Sequence, residues 1–141
     1  MPVSYAGSSS ISAPPDRVWA RLTDAASYPQ WNPTVVKLDG AIAPGQKIKL
    51  VSTLDPKRTF SLKVAELDPP RRMVWSSGMP LGLFTGRRTF TLTPRADGGT
   101  DFTMEEAFSG PMAPLITRAI PDMTESFAQF AAALKATAEA G

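Results

Sequence analysis

The sequence predicts an α+β fold: a curved antiparallel sheet of about seven strands around a long C-terminal helix, with two short helices after the first strand. Two observations carry this expectation. Short segments with one apolar and one polar row recur between residues 35 and 109, separated by turn signals. From 111 to 139 the period changes, and Ile116, Ile120, Met123, Phe127, Phe130 and Leu134 recur at intervals of three and four, as on one face of a helix. A bent sheet and an amphipathic helix each have one face to bury, and laying the helix across the sheet buries both. A strongly bent sheet can leave space beneath that helix, so the architecture is one that forms cavities.

The elements follow in order. Residues 3–12 alternate Val3, Tyr5, Gly7, Ser9 and Ile11 against alanine and serines, as in a strand, although a serine-rich one. Pro14 and Pro15 pre-set the backbone for a helix start, and Val18, Trp19 and Leu22 then recur at helical spacing. Asp24 and Pro29 close this helix, and a second short helical turn is expected over 27–31. Strands are expected at 35–38, before Asp39-Gly40, at 47–54, after Pro44-Gly45, and at 59–67, where Phe60, Leu62 and Val64 alternate. "DPP" turns the chain into Met73, Val74 and Trp75, and residues 86–110 form a last hairpin around Gly98-Gly99. Pro121 falls inside the apolar period of the final helix, where a kink or break is expected. There is no internal repeat and no linker.

Composition narrows the chemistry. At 141 residues, 43% hydrophobic and 20% charged, the chain reads as one globular domain. The net charge is +2 and basic residues never run longer than two, so no stripe suited to a phosphate backbone is present and nucleic acid is not an expected partner. Without cysteine or histidine there is no thiol, disulfide or imidazole chemistry. No phosphate-binding glycine loop, nucleophile elbow or carboxylate cluster occurs, and neither a cofactor nor a metal is expected. The first fifteen residues lack a signal-peptide pattern and no apolar run reaches membrane-spanning length, so a cytoplasmic location is expected. Oligomeric state is not legible.

The hairpin holds the main anomaly. Its apolar row reads Arg88, Phe90, Leu92 outward and Phe102, Met104, Glu106, Phe108 on the return. If Phe90 pairs with Met104, Arg88 falls opposite Glu106 on the same face, where opposite charges attract across the ladder. In apolar surroundings each needs the other. Two readings stand open: a structural ion pair that closes one end of the core, or a guanidinium that grips a ligand oxygen while Glu106 orients it.

Several stretches together resemble the START-like, or SRPBCC, helix-grip superfamily, and within it the polyketide cyclase/dehydrase and lipid-transport group. They are "APPDRVWARLTDAASYPQWNP", "GAIAPGQKIKL", "ELDPPRRMVW", "GLFTGRRTFTLTP", "GGTDFTMEEAFSGPMAPLI" and the terminal "AALKA". The resemblance covers nearly the whole chain. It implies a deep hydrophobic tunnel under the C-terminal helix, open where the loops meet that helix's N-terminus. It also implies a small apolar ligand such as an aromatic polyketide, sterol or lipid. One departure stands out: the group often carries Gly-x-His-x-Phe, and here the histidine place is Arg88.

Ligand contact is expected from Arg88, Glu106, Phe90, Met104, Trp75, Phe60, Leu50, Asn32, Phe84, Ile116, Ile120 and Met123, although the apolar members equally suit a filled core. Phe127, Phe130 and Leu134 read as packing. Asn32 either caps the turn before Pro33 or presents its amide at the mouth. Met79, Leu81, Leu83 and Phe84 lie in a loop that either folds on the core or gates the tunnel. The leading functional expectation is binding or carriage of a small hydrophobic molecule. The alternative is a cyclase or dehydratase, for which Arg88, Glu106 and Tyr28 are the catalytic candidates; arginine cannot serve as a base, so Glu106, a tyrosine or water would have to.

Overall fold

A computed structural model describes residues 3–119 and 121–140. Its seven strands are β1 (Val3–Ile11), β2 (Val35–Asp39), β3 (Lys47–Ser52), β4 (Phe60–Asp68), β5 (Arg72–Met79), β6 (Phe84–Pro94) and β7 (Thr100–Ser109). They form one sheet in the order β1-β7-β6-β5-β4-β3-β2, every neighbouring pair antiparallel. The register shifts in β2 between Val35 and Lys37 and in β4 between Val64 and Glu66. Such irregularities bend a strand and increase its twist, which helps curl the sheet.

Helix α1 (Pro15–Leu22) starts on Pro15 and buries Val18 and Leu22. A single 3₁₀ turn leads into α2 (Tyr28–Trp31). The region 111–139 is not one bent helix. It holds α3 (Ala113–Ile116), a 3₁₀ turn, and then α4 (Thr124–Glu139), with Pro121–Met123 outside either helix. Proline offers no N–H to a preceding turn, and the Asp122 carboxylate accepts from the Thr124 N–H at 2.9 Å, so a new helix starts after it. Ile120 lies outside the described residues.

α4 buries Phe127, Phe130, Ala131, Leu134 and Ala138. Its position follows from the small inward residues of β1. A Cβ on Gly7 would lie 2.6 Å from the Phe127 carbonyl oxygen, so only glycine permits this approach. Ser9 Oγ donates to the Ala131 carbonyl at 2.9 Å, and Lys135 Nζ donates to the Ser10 carbonyl at 2.8 Å. The Ser12 N–H donates to Glu139 at 2.7 Å. The serine-rich strand is thus the seat of the helix, which is tied to the β1 edge and leaves space over β3–β6.

Gly7→Ala should therefore cost about 1–3 kcal/mol, the usual range for overpacking. Urea unfolding measures it. A loss below about 0.5 kcal/mol, as for an ordinary surface change, would show that α4 rides freely over β1.

Candidate ligand-binding site

The space beside α4 is a cavity of about 550 Å³. Inward rows of β3–β7 form its floor, with Leu50, Phe60, Leu62, Trp75, Arg88, Glu106 and Phe108, and Ile116, Met123, Ser126, Phe127 and Phe130 cover it. Its exposed lining residues include Leu54, Arg58, Met79 and Pro121, which bring the β3–β4 loop, the β5–β6 turn and the segment before α4 to one end. That end is the opening.

Arg88 and Glu106 are direct cross-strand partners in the cavity wall. Arg88 Nε donates to Glu106 Oε1 at 2.7 Å, and each side chain is 15% exposed. The guanidinium carbon also lies 4.9 Å from the centre of the Phe127 ring, within cation–π range. Trp75 is the neighbour of Arg88 on the other side, across β5. One row therefore runs Trp75, Arg88, Glu106 across the middle of the sheet. The indole N–H of Trp75 is buried and has no acceptor among the described residues.

The other sequence candidates divide. Leu50, Phe60, Trp75, Phe84, Ile116 and Met123 line the cavity beside the ion pair. Phe90 and Met104 do not: both are fully buried, Phe90 between the rings of Trp75 and Phe130, and Met104 opposite Gly7 on β1. They belong to the filled part of the core. Ile120 is not placed.

Asn32 is buried but off the cavity. Its Oδ1 accepts from both the N–H and the hydroxyl of Thr34, at 2.9 and 2.7 Å, and so fixes the turn that launches β2. Tyr28, a catalytic candidate by sequence, does not reach the cavity. It is fully buried, packs against Trp31, Trp75 and Phe130, and donates its hydroxyl to the Leu22 carbonyl. Burial pushes that hydroxyl above its ordinary range, only partly opposed by the Arg88 charge, and it does not line the cavity. It is a structural tyrosine.

Phe127 and Phe130, expected to serve packing alone, also roof the cavity. The stretch around Met79 and Phe84 is mostly strand rather than loop: Met79 pairs with Phe84 across a tight turn. Phe84 stacks on Phe108, with ring centres 5.6 Å apart, whereas Leu81 is 97% exposed. The cavity hydroxyls of Ser77 and Ser126 and the charged mouth residues Asp55 and Arg58 escaped the sequence reading, because nothing in their local pattern separates them from ordinary polar positions.

No helix of the described residues is long and apolar enough to cross a membrane. No curated protein sequence matches the chain. Among solved structures it is similar to the Zhui aromatase/cyclase of a Streptomyces species, with a TM-score of 0.76 at 16% identity, over 99% of this chain and 94% of that one. It is similar to a protein from Mesorhizobium loti, at TM-score 0.71 and 24% identity over 95% of both chains. A START superfamily protein from Mycobacterium smegmatis matches at TM-score 0.70 and 15% identity over 97% of each. These likenesses establish the helix-grip fold. Residues 2–139 match the family described as polyketide cyclase / dehydrase and lipid transport, and the chain belongs to that family.

Proposed function

We propose that the protein binds or carries a small hydrophobic molecule, of aromatic-polyketide, sterol or lipid-like character, in the cavity beside α4, with Arg88 and Glu106 as its polar anchor. The observation that carries this reading is the cavity itself. Its volume of about 550 Å³ lies in the ordinary range for small-ligand sites, and its lining is mainly apolar with a substantial polar share that includes Ser77, Ser126, Arg88 and Glu106. A filled core would leave Leu50, Phe60 and Ile116 in contact with α4 rather than facing space. A neutral apolar fluorophore such as Nile red should bind one per chain and be displaced by flat polycyclic compounds. Absence of any saturable binding by such probes would end this reading.

A second reading is a cyclase or dehydratase acting in the same cavity, and similarity in fold to the Zhui aromatase/cyclase favours it. With Tyr28 locked to the Leu22 carbonyl, Arg88 would stabilise developing charge on a ligand oxygen. Proton transfer would fall to Glu106 or water. Turnover of an oligoketide mimic, lost in Glu106→Gln while binding persists, would select this reading over carriage.

A further inference from the structure

We propose that Glu106 makes the cavity charge-selective: it admits an uncharged ligand that offers a carbonyl oxygen to Arg88, and it rejects the corresponding anion. The inference rests on the ligand-cavity reading and names the head group that the site takes.

The first argument is a count of donors. A guanidinium has five N–H groups and no acceptor. Arg88 gives its Nε–H to Glu106, and its terminal amino groups make no hydrogen bond among the described residues. The Arg88 side chain keeps 15% exposure, so these amino groups are open to water or to a ligand acceptor. The wall therefore offers charged donors to a ligand that accepts hydrogen bonds.

The second argument is a count of charge. Arg88 and Glu106 cancel in direct contact, and the other charged lining residues, Asp55 and Arg58, add one charge of each sign at the mouth, where Arg58 stacks on the Phe60 ring at 4.7 Å. A carboxylate or phenolate placed on Arg88 would bring one uncompensated negative charge into an apolar wall, beside an existing carboxylate. Desolvation and like-charge repulsion both oppose it. A ketone makes the same hydrogen bond without either cost. Glu106 thus supplies the repulsive element that separates two head groups of nearly equal shape.

The test uses three probes with one ring system: 2-acetylnaphthalene, 2-naphthoate and 2-ethylnaphthalene. Their binding is measured by calorimetry at neutral pH, where an ordinary carboxyl is ionised. The wild type should bind the ketone more tightly than the hydrocarbon, and the carboxylate at least about tenfold more weakly than the ketone, as for a like charge at close range. Glu106→Gln keeps the shape and an acceptor but removes the charge, leaving Arg88 uncompensated. In that variant the carboxylate should gain at least about tenfold and approach or overtake the ketone.

A carboxylate that binds the wild type as well as the ketone overturns the proposal, as does an unchanged ratio in Glu106→Gln. Equal binding of ketone and hydrocarbon overturns it too, while leaving the cavity reading intact. If none of the three binds, both fail. The wild-type ratios decide the matter by themselves if the variant does not fold.

Discussion

Arg88→Met should destabilise the protein by about 3 kcal/mol, the scale for stripping one partner from a buried ion pair. Glu106, only 15% exposed, would then lack the donor that sits 2.7 Å away. Water in the cavity can solvate part of it, which sets the expectation at the lower end of the range for such pairs. Glu106→Leu should cost a similar amount by orphaning Arg88, which retains the Phe127 ring as a weak partner. The double variant Arg88→Met/Glu106→Leu removes both charges and should recover most of the loss, because apolar replacements of buried pairs are often close to neutral. Urea unfolding of all four proteins yields the coupling energy. A coupling below about 0.5 kcal/mol, the scatter for independent sites, would show that the two groups are each served by solvent. Arg88→Met should in addition weaken carbonyl-bearing probes while purely apolar ones bind as before. A purely structural pair would leave that preference unchanged.

Phe130→Ala should cost about 3–5 kcal/mol, as for other large aromatic truncations in cores. Its ring is 2% exposed and meets four others: Tyr28, Trp31, Phe90 and Phe102, at centroid distances of 6.0, 5.9, 5.8 and 6.2 Å. This cluster joins α2, α4 and the β6–β7 hairpin. Phe130 also roofs the cavity, so the volume it vacates adds to the binding space. The variant should therefore be less stable yet accept bulkier polycyclic probes. Unfolding midpoints and a size series of displacing ligands measure the two effects together. A loss under about 1 kcal/mol, where core aromatic truncations cost several, would mean that α4 is seated mainly by its tether to β1.

Alternation along the strands was enough to say which residues of the 86–110 hairpin face inward, since a slip by one residue would send Phe90, Leu92, Phe102 and Met104 to water. A slip by two keeps the same face inward, so it is the turn, closed by the Arg95 and Gly99 backbones, that sets Arg88 against Glu106. The hairpin turn around Gly98-Gly99, the proline start of α1 and the apolar period of α4 were legible for the same kind of reason: each is a local pattern with one economical solution. The ends of β5 and β6 were not. "SSGMPLGLFTG" has no alternation, and its two strands are defined only by pairing with each other as far as Met79 and Phe84. The break at Pro121 was readable as a place; its depth depended on Asp122 capping Thr124.

Which inward residues face space and which fill the core is a different kind of question. Phe60 and Phe90 look alike in their strands, each an aromatic residue on an apolar row. One lines the cavity and the other is packed solid, because α4 lies along β1 rather than across the middle of the sheet. That placement comes from Gly7, which lets the helix backbone approach, and from Ser9 and Ser10, which bond to residues more than a hundred positions away. No window of the sequence contains such a contact. Tyr28 and Asn32 were named as site residues for the same reason: their partners, Leu22 and Thr34, are near in sequence, and Tyr28 is further covered by Phe130 from the far end of the chain. Local pattern determines which face of an element is dry; only the packing of distant elements determines whether that dry face meets another side chain or an open space.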